Sequence, residues 1–166
     1  MVVVTDYPDP DLVKNLWGNI DEYYSSKNNA EEKGKGRRIV AEGYCWGADA
    51  APLLAHLPQP EKLKTPGFEI LILADLLFNH SEHGKLVSTI EATLQKTDGA
   101  KALVFFTPYR PWLYEKDMAF FDLAKERGFV VEKVLEVKME KVMFESDPGD
   151  EELRRTVFGY VVKWKL

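Results

Sequence analysis

Apolar and polar positions along the chain follow two periods, and the switches between them mark out strands and helices. Residues 2–5 form a β-branched run that predicts a short buried strand. The turn chemistry of Tyr7-Pro8-Asp9-Pro10 ends it, with Asp9 able to cap a helix whose first position is Pro10. Leu12, Val13, Leu16, Trp17 and Ile20 then recur at helical spacing, giving one apolar face. The polar stretch 25–38 reads as a surface loop. A second strand is predicted over 39–45, followed by Trp46-Gly47 and a short helix over 49–56. Pro58, Pro60, Pro66 and Gly67 make the next segment a loop.

Residues 68–73 (Phe-Glu-Ile-Leu-Ile-Leu) are almost wholly apolar, the pattern of a strand covered on both faces of a parallel sheet. Leu86, Ile90 and Leu94 mark a helix that Thr97-Asp98-Gly99 stops, and 102–106 is another buried strand. The segment 113–127 predicts a helix closed by Gly128. Beyond it the period drops to two. Leu135, Val137 and Met139 alternate with Glu136, Lys138 and Glu140, while Phe158, Tyr160, Val162 and Trp164 share a face, predicting a hairpin joined by the acidic loop 145–152. Strand and helix thus alternate until a closing antiparallel hairpin, the order of an α/β fold with helices on both faces of a mostly parallel sheet. With 166 residues, no internal repeat and no linker, one domain is expected.

Composition narrows the function classes. A formal charge of −5 argues against general affinity for nucleic acid, and the basic run 33–38 is too short to reverse that. Cys45 is the only cysteine, so no internal disulfide or thiolate metal cluster can form. No apolar run approaches the roughly 20 residues that span a bilayer, and the N-terminus lacks the basic head of a signal peptide. A cytoplasmic protein without membrane contact is expected, with the nucleus open.

Ligands of such sheets sit beyond the carboxyl ends of the strands, and three of those ends carry notable residues. Asp6 follows the first strand, where a carboxylate can accept hydrogen bonds from two vicinal ribose hydroxyls; a turn or capping aspartate would look the same. Trp46 can lie against an adenine ring while Gly47 lets the backbone come close, or it can be a core tryptophan beside a tight turn. Asp75 ends a fully apolar strand, where a carboxylate needs a polar neighbour, be it a ligand or the backbone amides of the next helix.

Residues 2–9 (Val-Val-Val-Thr-Asp-Tyr-Pro-Asp), 43–47 (Gly-Tyr-Cys-Trp-Gly), 75–83 (Asp-Leu-Leu-Phe-Asn-His-Ser-Glu-His) and 107–111 (Thr-Pro-Tyr-Arg-Pro) occur in this order. Together they resemble the fungal protein N-terminal and lysine methyltransferases that act on translation elongation factor 1-alpha, a nicotinamide N-methyltransferase-like family. The resemblance implies a Rossmann-like class I methyltransferase sheet and S-adenosylmethionine as cofactor. Asp6 would hold its ribose, Trp46 would pack on the adenine and Ala74 would line the pocket. Asp75 and Phe78 match a position where related families place Asp-x-x-Tyr, so the phenylalanine is a departure. The family also carries a first strand and Gly-rich turn upstream of the position of Asp6. Here Met1 immediately precedes the strand, so that segment is expected to be lacking and its place, between the strands carrying Asp6 and Asp75, to be open. A fragment, a truncated gene model or a degenerate form would each give this pattern.

Methyl transfer to nitrogen needs an uncharged amine held in line, so positioning supplies most of the gain. A free α-amine loses its proton readily, whereas lysine needs desolvation or a nearby carboxylate. Asp75, Asn79 and His80 are expected to orient the amine, and Phe78, Tyr109, Trp112 and Tyr114 to wall the substrate channel, unless those aromatics simply pack their loop on the sheet. Three other functions compete. His80, Glu82 and His83 invite metal binding, but the spacing is not His-Glu-x-x-His and no metal is expected; capping by Ser81 would explain the segment. A non-catalytic fold that binds a protein partner is the second. NAD binding is the third, weakened because no Gly-x-Gly-x-x-Gly follows a strand. Two strands deprived of a neighbour must pair directly or leave apolar edges exposed, which predicts marginal stability.

Overall fold

The computed structural model describes residues 1–26, 38–58, 64 and 66–166. Most of the predicted 25–38 loop, the basic run apart from Arg38, and Pro60 lie outside the described residues. Among the described residues the strands and α-helices follow in the order β1 (Val2–Asp6), α1 (Pro10–Ser25), β2 (Ile39–Gly43), α2 (Ala51–Leu54), β3 (Ile70–Ala74), α3 (His83–Thr93), β4 (Lys101–Phe106), α4 (Tyr114–Glu126), β5 (Phe129–Lys138), α5 (Glu151–Arg154) and β6 (Thr156–Trp164). None of these helices is long and apolar enough to cross a membrane.

The ends of the elements follow local chemistry. Asp9 Oδ1 accepts from the amides of Asp11 and Leu12, which starts α1 with Pro10 in its first turn. Gly128, at φ 88°, closes α4 and sends the chain straight into β5. The acidic 145–152 segment is more than a loop. Asp150 Oδ1 takes the amides of Glu152 and Leu153 and starts the single turn of α5.

The strands form two groups. β1 and β2 pair in parallel, Asp6 opposite Gly43, and α1 covers them through Leu16, Trp17, Ile20 and Tyr24. The larger sheet runs β3-β4-β6-β5, parallel between β3 and β4 and antiparallel thereafter. This is an α/β fold with a mixed sheet. On one face Leu73, Val104, Phe106, Phe158, Tyr160 and Val162 meet Leu86, Ile90, Phe120 and Phe121 of α3 and α4 in the main core. Phe121 lies against Tyr160 with ring centroids 4.1 Å apart and planes tilted by 30°.

Two expectations fail here. β3 is not covered on both faces: Leu71 and Leu73 turn to the helices, but Ile70 and Ile72 are 53% and 69% exposed. An all-apolar strand states that both faces suit burial; it does not supply the layer that buries them. Likewise Val137 and Met139 do not extend the buried face of Leu135. β5 is the outer strand, its register shifts between Lys133 and Leu135, and Met139 lies past its end.

No described strand pairs with the inner edges of β1 and β3. Between them lies a cavity of about 1000 Å³, with Val2 and Val4 along one side, Ile70 and Ile72 along the other, and Leu86 and Ile90 of α3 also lining it. Of the two outcomes expected for neighbourless strands, edges left open is the one observed. Near the amino end of β3 the chain is instead tightly tied down. Phe68 bonds Thr93 and Gln95 through its backbone, and a Cβ on Gly67 would sit 2.5 Å from the Gln95 nitrogen. Gly67→Ala is therefore expected to cost about 1–3 kcal/mol by overpacking, read as a lower urea midpoint.

Candidate functional site

The carboxyl ends of β1, β2 and β3 meet at one end of the cavity. The Tyr44 amide donates to the Asp6 carbonyl, 2.8 Å, so β2 leaves the sheet alongside β1. Gly43 is needed there, because a Cβ would come 2.9 Å from the Pro8 Cα. Gly47, at φ 77°, then turns the chain onto α3 and donates to Thr89 Oγ1, 2.8 Å. Lys85 of α3 pairs with Glu82 at 2.8 Å. That bond raises the Lys85 pKa, with smaller contributions from nearby Cys45 and Tyr7. One lysine thus has the segments after β1, β2 and β3 around it. Thr5, Tyr44 and Ala74 all line the cavity.

Each predicted cofactor residue has a definite setting. Asp6 is exposed; its Oδ1 accepts from the Tyr7 amide, 2.7 Å, and its Oδ2 has no partner among the described residues. Trp46 is half-buried against the main core, so at least part of its ring serves packing. Ala74 is exposed at the last position of β3.

Past Ala74 the chain makes its least usual turn. Asp75 adopts φ 52°, a left-handed conformation that Asp tolerates better than most residues. Its amide donates to the Phe105 carbonyl and its Oδ1 accepts from the Thr107 amide, 3.0 Å, so the polar neighbour it needs includes the next strand's exit. Two further links join the same turns. Arg110 Nη2 donates to the Phe78 carbonyl, 2.6 Å, and His80 Nε2 lies 2.7 Å from Asp117 Oδ1. Asn79 is engaged locally, its Oδ1 accepting from Ser81 Oγ, 3.0 Å. Ser81 therefore does not cap the helix.

The channel aromatics divide. Phe78 and Trp112 are each 60% exposed. Tyr109 sits edge-on to Phe144, 5.4 Å between centroids, with its hydroxyl 3.6 Å from Met143 Sδ. Burial raises its pKa, and the Asp75 carboxylate adds to the rise. Gly149 brings the acidic segment over this group, within 3.3 Å of Pro111 and Trp112 for an added Cβ. Tyr114 does not join them: it turns inward against Phe158, because it begins the buried face of α4.

His80, Glu82 and His83 face three different partners. His83 Nε2 is 2.8 Å from the Leu77 carbonyl, Glu82 pairs with Lys85 and His80 with Asp117. Among the described residues no three ligating side chains converge as a metal would require. Asp117 was not among the sequence candidates. Its signal was a carboxylate at the helical spacing of Tyr114, Phe121 and Ala124, on the face that α4 buries.

Burial lowers the His83 pKa below the ordinary 6.5, against the Leu77 bond that raises it. A histidine of this kind takes its proton more readily unfolded, so its contribution is full above about pH 6.5 and is lost as pH falls. Asp117, raised chiefly by burial, works oppositely: its ionisation opposes folding as pH climbs from 3.8. Urea unfolding of His83→Gln, which keeps a donor without the titration, is expected to lose much of the stability decline between about pH 6.5 and 5.

No family model matches the chain. Over 163 residues, 98% of its length, the chain is 60% identical to the protein N-terminal and lysine N-methyltransferase of Neurospora crassa. It is 50% identical over 167 residues to the protein of that name in Gibberella zeae, and 43% identical over 159 residues to that of Schizosaccharomyces pombe. The chain spans 56%, 61% and 57% of these three relatives.

Proposed function

From its likeness to protein N-terminal and lysine N-methyltransferases, we propose that the chain is the cofactor- and amine-facing part of an S-adenosylmethionine-dependent protein N-methyltransferase. Its substrate is an α-amine or lysine of translation elongation factor 1-alpha, in the cytoplasm. One observation carries the reading: the exits of β1, β2 and β3 gather at a single cavity in a chain so similar to those enzymes.

The nucleoside half of that cofactor is assigned to the mouth of the cavity. Ala74 lines it; Asp6 and Trp46 are not among its lining residues but follow Thr5 and Tyr44, which are. Asp6 would thus reach ribose hydroxyls through its open carboxylate oxygen, and Trp46 would offer the part of its ring not used by the core. Bound there, the cofactor supplies a methyl group on a sulfonium. The chain's own residues have the other tasks. Asp75 and Asn79 orient the incoming amine, and His80 accepts its proton. Phe78, Tyr109 and Trp112 form the approach, attracting a cationic nitrogen to their ring faces and shedding water around it.

Among the described residues no backbone runs between β1 and β3 to meet the cofactor's amino-acid end. Isothermal calorimetry is therefore expected to find S-adenosylmethionine bound more weakly than about 1 mM. At several millimolar cofactor, amide NMR shifts are expected at Thr5–Asp6, Cys45–Gly47 and Ala74–Asp75. Shifts confined to other parts of the chain, or none, would sink the reading. The open strand edges favour an alternative: a non-catalytic methyltransferase fold that binds a protein partner. It predicts no cofactor-induced shift at those positions.

A further inference from the structure

We infer that Asp117 is a positioning residue for His80, holding its imidazole with the proton on Nε2 and leaving Nδ1 to take the proton of the substrate ammonium. The inference rests on the amine-methylation reading above. Three observations carry it.

The first is the bond itself. His80 Nε2 approaches Asp117 Oδ1 to 2.7 Å, and the Asp117 side chain is only 8% exposed. A buried carboxylate accepts but does not donate once ionised, so it selects the tautomer with hydrogen on Nε2. The second is the other nitrogen. His80 Nδ1 has no partner among the described residues, yet it is not among their buried unpaired atoms, and the side chain as a whole is 23% exposed. Its lone pair therefore reaches solvent.

The third is location. The pair ties the turn after β3 to α4. The Thr107–Asp75 and Arg110–Phe78 bonds tie that same turn to the exit of β4. His80 thus lies in the same turn as Asp75 and Asn79, the proposed amine-orienting groups, and that turn is fixed both to the exit of β4 and to α4. A surface ion pair would have no such placement.

The proton balance is simple. An N–H bond of the ammonium breaks, an Nδ1–H bond forms, and the nitrogen keeps the electron pair it needs as a nucleophile. The imidazole becomes cationic and the carboxylate beside it stabilises that charge. Three groups set the field around His80. Asp117 comes from α4, and His83 comes from α3, its ring edge-on at 5.5 Å. Arg110, in the turn after β4, acts on Asp117. Burial raises the Asp117 pKa, while the bond to His80 and the nearby Arg110 cation each favour the ionised, accepting form.

Nitrogen NMR of the full chain labelled at histidine tests the inference without cofactor or turnover. Neutral His80 is expected to carry its proton on Nε2, and Asp117→Asn is expected to speed exchange of that proton with water by about tenfold, because the charged acceptor that holds it is gone. His80→Gln assigns the signal. A proton on Nδ1 in the unsubstituted chain would overturn the inference even if Asp117→Asn failed to fold. An Nε2 proton that exchanges no faster in folded Asp117→Asn would overturn it too. A histidine that only packs against α4 would show no such change. Absence of cofactor-induced shifts, by contrast, would sink the methyltransferase reading and leave the tautomer measurement intact.

Discussion

Phe120→Ala is expected to remove about 3–5 kcal/mol of stability, the range for truncating a buried aromatic. Phe120 has no exposed surface and sits where α3 and α4 cross, edge-on to His83 at 5.5 Å and to Phe121 at 5.3 Å. The space it would leave adjoins His83 and Phe121 within a cluster of buried side chains, so little of it can collapse. A domain of this size has roughly 5–15 kcal/mol in total, so the substitution would take a large share. Equilibrium urea unfolding reads the loss as a lower midpoint. Trp112→Ala provides the contrast: at 60% exposure its ring is expected to matter by less than about 0.5 kcal/mol. Equal effects from the two would mean that the main core lies elsewhere.

The second large effect is a difference in stability within the chain. β4 and β6 have a neighbour on each side and bury Val104 and Val162. Among the described residues β1 pairs with β2 alone, and its other edge faces the cavity. A small cluster around Ile20, Tyr24 and Ala41 holds that pair to α1, whereas the main cluster spans four strands and two helices. Amide hydrogen exchange is expected to be slowest in β4 and β6 and faster in β1 and β2 by about two orders of magnitude or more, a gap near 3 kcal/mol in opening energy. Heating should show the same order, with loss of the β1–β2 region first and aggregation through its open edge. A single cooperative transition of the monomer well above about 65 °C, with uniform protection, would contradict both statements.

Seen residue by residue, the sequence was most informative where one local rule sufficed. Asp9 and Pro10 announced the start of α1, Gly128 announced the end of α4, and the alternation of Phe158, Tyr160 and Val162 announced the buried face of β6. The ends of β1 and β3 were legible as well, because Asp6 and Asp75 each interrupt an apolar or β-branched run with a residue suited to a turn, whereas β2, expected to run over 39–45, stops at Gly43. The hidden features were those that need a partner far along the chain. Ile70 and Ile72 look like buried positions, but whether another layer covers them depends on elements their own spacing does not describe. Tyr114 and Trp112 are neighbours of the same chemical kind. The phase of a helix, set by its packing on Phe158, turns one inward and leaves the other out.

From its residues alone the chain determined an alternating α/β order, the polar strand ends and the likeness to N-terminal and lysine methyltransferases. Only the tertiary structure decided that β1 and β3 leave their edges open across a cavity instead of pairing directly, and that Asp117 of α4 reaches His80 across 37 positions. The physical reason is range. Periodicity and capping are settled within a turn or a strand, by sterics and by the nearest hydrogen-bond partners. Which edges meet, and which buried carboxylate faces which imidazole, depends on how all the layers stack at once.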